Sequence, residues 1–223
     1  MSFSQRLVVL IARATTRVLF NVDAEQLQRV PQQGPLIIIT NHVNIMEIPV
    51  LYSRLQPRPL IGMVLATRWK NPFLKWGLNA SGAIPLERGG INMDGLRKGV
   101  EVLKEGKFII LNPEGTRSGH GRLQKGNPGV IPLALKSGAP LLPIVYYGGE
   151  KYKENLKRLR RTDLHIAVGK PFTLAVEDAT LSREVRQQIT DEIMYQLAAL
   201  LPPEYRGKYA DLSQATQRYL AYT

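Results

Sequence analysis

An imidazole at His42 and a carboxylate at Glu47 stand five residues apart in Asn41-His-Val-Asn-Ile-Met-Glu47. On a regular helix that spacing turns two side chains about 140° apart, so they meet only if His42 lies before the helix or in an irregular first turn. A strand-to-helix corner allows this. A carboxylate holding one ring nitrogen leaves the other free as a base and stabilises the imidazolium that forms, the arrangement that activates a hydroxyl. Further along, Glu114-Gly115-Thr116-Arg117-Ser118 packs a carboxylate, a permissive backbone, two hydroxyls and a guanidinium into one short stretch. Glycine lets backbone N–H groups approach a ligand, and arginine grips phosphate through two parallel hydrogen bonds. The plainer reading is a polar turn with an internal Glu–Arg pair. Arg88 supplies a second cation if its segment opens on the same cleft, and is otherwise a surface charge.

Several chemistries have no candidate. Gly-x-Ser-x-Gly is absent, which removes an acyl-serine intermediate on a nucleophile elbow. Gly121 and Gly126 have the spacing of a phosphate-binding loop, but Asn127 follows where lysine is required. There is no cysteine, hence no disulfide, thiolate nucleophile or zinc ribbon, and with only three histidines no metal site is expected. His120 in a glycine-rich loop and His165 in a strand run are expected to be structural or solvated.

The elements that must position these groups follow from apolar runs and their punctuation. Runs at Pro35–Thr40, Leu60–Ala66, Gly82–Leu86, Lys107–Leu111, Leu141–Tyr146 and Leu164–Val168 read as strands covered on both faces. Between some of them lie helical stripes. Leu96, Val100 and Leu103 fall between Asn92 and a stop at Gly106; Val185, Ile189, Ile193 and Leu197 follow an N-cap at Ser182 and end at Pro202-Pro203. The alternation predicts an α/β fold: a single domain whose central sheet, mostly parallel or mixed, is covered by helices. In such sheets ligands gather at the carboxyl ends of strands, where all the polar groups above stand. The chain after Pro203 reads as a short surface helix.

The 223 residues carry 30 Lys+Arg against 18 Asp+Glu, a net charge of +12, which favours phosphate-bearing partners: nucleic acid, anionic membrane or a phosphorylated metabolite. No run approaches the ~20 apolar residues of a spanning helix. At the N-terminus an amphipathic helix is expected in which Arg6, Arg13 and Arg17 share a narrow wedge and apolar residues cover most of the rest. It can lie in the headgroup plane with its cations toward anionic lipid, or pack on the domain with its arginines solvated. Trp69, Phe73 and Trp76, interleaved with Arg68, Lys70 and Lys75, and the basic run Lys151–Arg161 are two further basic-apolar surfaces. The expected organisation is a membrane-associating segment at 1–30, a catalytic domain at 31–202 and a tail at 203–223. Peripheral attachment to the cytoplasmic face is expected, since the absence of cysteine fits a reducing compartment.

Taken in order, four blocks resemble the glycerolipid acyltransferase family typified by 1-acylglycerol-3-phosphate (lysophosphatidate) acyltransferase. They are Asn41-His42 with an acid at 47, Gly82-x-Ile84 to Arg88, Pro113-Glu114-Gly115-Thr116-Arg117-Ser118, and Pro140-Leu-Leu-Pro143-Ile144. The resemblance implies transfer of an acyl group from a thioester, on coenzyme A or acyl carrier protein, to a lysophospholipid hydroxyl, with no cofactor and no covalent intermediate. It makes His42 the general base and Glu47 its orienting acid. It places Arg88, Glu114, Gly115, Thr116 and Arg117 on the acceptor, the arginines on its phosphate, with Arg68 as an extra cation. The second proline block would shape the acyl-donor side. Where the family has Asp, this chain has Glu47, as relatives that acylate lipid A do; Asn112 stands where Phe is common. Two alternatives remain: another lysolipid acceptor, or a non-catalytic basic module for membrane or nucleic acid.

Overall fold

The computed structural model describes residues 1–87, 92–176 and 181–222. Nine strands form one sheet: β1 (Phe20–Asp23), β2 (Leu36–Thr40), β3 (Leu60–Leu65), β4 (Ile84–Leu86), β5 (Phe108–Leu111), β6 (Leu141–Tyr147), β7 (Thr162–Val168), β8 (Phe172–Leu174) and β9 (Leu220–Tyr222). Seven α-helices accompany them among the described residues: α1 (Phe3–Leu19), α2 (Glu47–Leu55), α3 (Pro72–Ala80), α4 (Met93–Lys104), α5 (Val130–Ser137), α6 (Tyr152–Lys157) and α7 (Arg183–Leu200). The strand order is β1-β7-β6-β2-β5-β3-β4, with β8 on β6 and β9 on β8. From β6 through β4 every pairing is parallel, whereas β7 and β8 run antiparallel to β6. The sheet is therefore mixed and mostly parallel, and the carboxyl ends of β2 to β6 open on one side of the molecule.

β2 lies at the centre. All five of its residues are buried, as a strand covered on both faces demands. Ile37 and Ile39 enter a core with Leu96 and Leu103 of α4, Ile131 and Leu133 of α5, and Ile189 and Ile193 of α7. Leu36 and Ile38 face the other way, against Val50, Leu51 and Leu55 of α2. Each such side chain contributes roughly 1.5–3 kcal/mol on burial, so the register of β2 between β5 and β6 is held from both faces. That register fixes where His42 emerges.

Caps start two of the helices where the sequence indicates. Asn92 accepts a hydrogen bond from Gly95 N at 2.8 Å and Ser182 accepts one from Val185 N at 3.2 Å. At the amino end, Ser2 and Gln5 form a reciprocal capping box that starts α1. The helix buries Val9 and Thr16 and leaves Phe3, Leu10 and Val18 exposed. No helix of the described residues is long and apolar enough to cross a membrane.

The tail departs from expectation. Instead of a surface helix it makes three short 3-10 turns, at Pro203–Tyr205, Gly207–Tyr209 and Leu212–Gln214, and ends as edge strand β9. Pro202 and Pro203 stop α7, and the buried carboxylate of Glu192 accepts hydrogen bonds from Thr216 Oγ1, Arg218 N and Tyr219 N, which holds the strap extended along α7. The stretch 1–30 likewise holds more than a helix, because β1 joins the sheet beside β7.

Candidate active site

β2 ends at Thr40, and α2 begins only at Glu47, so residues 41–46 form the corner that the spacing requires. Asn41 fixes it. Its Nδ2 donates to Tyr146 O and its Oδ1 accepts from Tyr146 N, both at 2.8 Å, so a buried side chain extends the pairing with β6 past the end of the strand. From the other neighbour, Asn112 at the end of β5 donates to Thr40 Oγ1 at 2.6 Å and to the carbonyls of Thr40 and Asn41. This gives Asn112 a local structural role at the position where the family commonly has Phe. Neither asparagine stood out as a functional residue in the sequence, although a buried Asn at a strand terminus is the signal that would have marked Asn41.

His42 Nδ1 lies 3.2 Å from Glu47 Oε2. The histidine side chain is 21% exposed and that of Glu47 only 2%, so the ring stands between solvent and a buried acid. Glu47 also accepts from the backbone: Val43 N reaches both its oxygens, at 3.0 and 3.1 Å, and Asn44 N reaches Oε1 at 2.8 Å. These amides belong to the corner before α2, and Glu47 itself stands in the first turn of that helix, where the dipole favours a negative charge. Burial raises the Glu47 pKa above the ordinary carboxylate value, while His42 and the Asn44 and Val43 amides pull it back down. The Tyr146 hydroxyl is buried with no partner among the described residues, and burial together with the Glu47 charge keeps it un-ionised.

The loop after β5 crosses in front of this corner. Glu114 Oε1 accepts from His42 N at 2.7 Å, and its Oε2 accepts from Gln124 N at 2.9 Å. Both oxygens of the residue that the resemblance places on the acceptor thus hold backbone, and burial raises its pKa against the pull of these amides. Ser118 N donates to His42 O and Gly119 N to Val43 O, so the loop pairs with the His42 segment almost as a strand would. Gly115 makes the turn at φ +69°, a left-handed conformation costly for other residues. Thr116 and Arg117 project beyond it, exposed. Arg117 has no carboxylate within ion-pair distance among the described residues, so the internal Glu–Arg turn does not form. Arg68 sits half-buried in the 3-10 turn that follows β3, on the same side of the sheet. Arg88 lies outside the described residues. No cluster of metal-ligating side chains occurs among the described residues.

The strand ends thus carry a His–Glu pair and, on the loop that pairs with the His42 segment, an arginine with no carboxylate within ion-pair distance among the described residues, an arrangement able to activate a hydroxyl and to hold an anion. The chain matches the Acyltransferase family model over residues 21–147 and belongs to that family. It is 27% identical over 179 residues to the chloroplastic 1-acyl-sn-glycerol-3-phosphate acyltransferase BAT2 of Brassica napus, covering 78% of this chain and 51% of that protein. It is 26% identical to the lyso-ornithine lipid O-acyltransferase of Pseudomonas aeruginosa, covering 71% of this chain and 67% of that one. The fold matches the crystal structure of the 1-acyl-sn-glycerophosphate (LPA) acyltransferase of Thermotoga maritima with a TM-score of 0.60 at 22% identity, over 85% of this chain and 76% of that one. The chain spans about half the length of the first curated relatives it matches.

Proposed function

We propose that the protein transfers a fatty acyl group from an acyl thioester, on coenzyme A or acyl carrier protein, to the free hydroxyl of 1-acylglycerol-3-phosphate. The product is phosphatidate for phospholipid biosynthesis. The observation that carries this reading is the 3.2 Å contact of His42 Nδ1 with buried Glu47, which leaves Nε2 as the ring nitrogen able to take a proton. With Nδ1–H donating to Glu47, Nε2 removes the acceptor's hydroxyl proton as the oxygen attacks the thioester carbonyl. The C–S bond then breaks, the ester forms, and the imidazolium returns its proton to the leaving thiolate. No step needs a cofactor or a covalent enzyme intermediate. Arg117, exposed and next in the chain to Ser118, whose amide pairs with His42 O, suits the acceptor's phosphate, with Gly115 and Thr116 as neighbouring donors. Arg68 adds positive charge at the same mouth. Glu114 acts through the His42 backbone as a positioning residue.

As part of the same proposal, the protein works at a membrane surface, bound peripherally, and the cytoplasmic face is the side proposed. Exposed Phe3, Leu10 and Val18 on α1 and Phe73 and Trp76 on α3 support this, since α1 and α3 are neighbours and their apolar side chains point to solvent. A second reading keeps the chemistry and changes the acceptor headgroup. It is favoured by Glu47 in place of Asp and by a relative that acts on a lyso-ornithine lipid. A binding-only module for nucleic acid or membrane would have no use for the His42–Glu47 pair.

The test is free-thiol release from acyl-coenzyme A and from acyl carrier protein against a panel of lysolipids. Wild-type protein is expected to turn over with lysophosphatidate, and His42→Ala to be slower by about 10²–10⁴, the share general-base catalysis supplies. Undiminished transfer by His42→Ala rejects the mechanism; turnover confined to a different lysolipid moves the acceptor assignment to the second reading.

A further inference from the structure

Four arginines converge at the β1 edge of the sheet. Arg17 comes from the last turn of α1, Arg54 from the last turn of α2, and Arg161 from the residue before β7. These three line a pocket of about 600 Å³, with Arg13 close behind them. In the sheet order, β2 is three strands from β1, a distance of roughly 14 Å at the usual strand spacing. The pocket wall contains none of His42, Glu47, Glu114 and Arg117.

Two of the arginines, Arg13 and Arg161, are held in place by backbone carbonyls. Arg13 Nε donates to Ser53 O at 3.1 Å and Arg161 Nη2 to Phe20 O. None of the four has a carboxylate within 4.0 Å among the described residues. Two acids do line the pocket, but each has another partner: Asp163 Oδ1 accepts from Asn21 Nδ2 at 3.0 Å, and Asp23 lies 3.4 Å from His165 Nδ1. Three guanidinium charges thus line the pocket with two carboxylates, and Arg13 adds a fourth positive charge behind them, leaving the pocket net positive. Arg54 feels the crowding, since burial and then the charges of Arg13, Arg17 and Arg161 push its pKa down. Like charges gathered at fixed positions without counter-charge cost stability, and an anion bound among them would relieve that cost.

The setting says which anion. Val18, next to Arg17, is 67% exposed, and Leu10, two turns back, is 63% exposed, so the pocket mouth borders the outward apolar face of α1. A soluble phosphate would use only the cations; a lipid would use both surfaces at once. We propose that this pocket binds the phosphate of an anionic phospholipid headgroup, gripped by Arg17, Arg54 and Arg161, while the lipid's chains lie along the apolar face of α1. The site is separate from the acceptor site. It rests on the reading that α1 docks on a bilayer, and it would set which membranes the enzyme prefers.

Co-sedimentation with vesicles of phosphatidylcholine, alone or with roughly one-fifth phosphatidylglycerol, tests it. Phosphatidylglycerol is a phosphodiester and not the proposed acceptor. The anionic lipid is expected to tighten binding of the wild type by about tenfold or more. Arg17→Gln/Arg54→Gln is expected to lose that gain and keep its binding to pure phosphatidylcholine, whereas Lys153→Gln/Lys157→Gln on nearby α6 removes equal charge and keeps the gain. Loss of the gain in both double variants would reduce the effect to net charge, and its retention in the arginine variant would leave the pocket without a lipid; either overturns the proposal. So does reversal of the gain by millimolar inorganic phosphate at constant ionic strength, which would assign the pocket to a soluble anion. Failure of wild-type protein to bind pure phosphatidylcholine would count against apolar docking by α1 alone, because the gain from phosphatidylglycerol is read separately.

Discussion

The acid beneath His42 is poised against its own burial. Glu47 is 1% exposed, and desolvation raises its pKa although His42 and two backbone amides favour its charged form. Glu114 is raised for the same first reason. A carboxyl whose pKa is higher folded than unfolded takes up its proton first in the folded state. Its contribution to stability therefore grows as pH falls through the folded pKa toward the unfolded value near 4.5, and is lost as pH rises. Thermal melts over that window should show Glu47→Gln flattening the pH dependence of Tm relative to wild type. An unchanged slope would mean that Glu47 titrates as an ordinary surface acid. Activity should run the other way, because protonated Glu47 no longer stabilises the imidazolium: kcat of the wild type should fall over the same acid range. Glu47→Gln should be slower by about 10² or more at neutral pH. Glu47→Asp separates reach from charge. It keeps the charge but is one methylene shorter, and Val43 N, Asn44 N and His42 Nδ1 all converge on the present oxygen positions. A rate loss well short of that for Glu47→Gln is expected, since the carboxylate survives.

Among the elements, the strap after α7 is the least expected and ties the tail to the loop that carries Glu114. Leu123 N donates to Tyr205 O and Lys208 N donates to Leu123 O, so the tail pairs with the residue just before Gln124, whose amide holds Glu114. Gly207 makes this approach at φ +52°, and a Cβ there would collide with the Leu123 carbonyl, a rigid backbone group. Gly207→Ala should destabilise by about 1–3 kcal/mol, and kcat should fall as Gln124, Glu114 and then His42 shift. A variant with lowered Tm and unchanged kcat would show the strap to be structural only. The sequence carries no sign of this link, because Gly207 and Leu123 are distant in the chain and neither belongs to a periodic run. What it does carry is the interior: the apolar runs around Ile37–Ile39 and Ile109–Ile110 become central strands because a strand buried on both faces must be apolar throughout. Capping side chains at Asn92 and Ser182 are equally local and equally readable. β1 and β8 carry no continuous apolar run, and they and β9 exist through pairing with distant partners. The candidate site divides the same way. Residue types at 42, 47 and 117 announce chemistry, while the bond from His42 N to Glu114 joins residues 72 apart and only the fold displays it.

At the scale of the whole molecule, the proposed docking on a bilayer calls for charge and apolar exposure together. A net charge of +12 would draw such a protein toward anionic lipid over distances of a Debye length, about 8 Å at physiological salt, but would not orient it. Orientation needs a surface that water disfavours. Phe3, Leu10 and Val18 on α1 are 81%, 63% and 67% exposed, and Phe73 on the neighbouring α3 is 77% exposed. At roughly 25 cal/mol per Å² of apolar surface removed from water, each such side chain inserted into lipid contributes on the order of 1 kcal/mol or more. Leu10→Gln/Val18→Gln should therefore weaken binding to uncharged phosphatidylcholine vesicles by at least about tenfold. Both side chains face solvent, so Tm should stay within about a degree of wild type, and thiol release with a short-chain, water-soluble lysophosphatidate should be unchanged. Raising salt should weaken binding of wild type to anionic vesicles while leaving its binding to uncharged ones intact, which separates attraction from insertion. If the double variant partitions onto phosphatidylcholine as well as wild type does, α1 is not the inserting surface, and the exposed side chains of α3 would have to supply the contact alone.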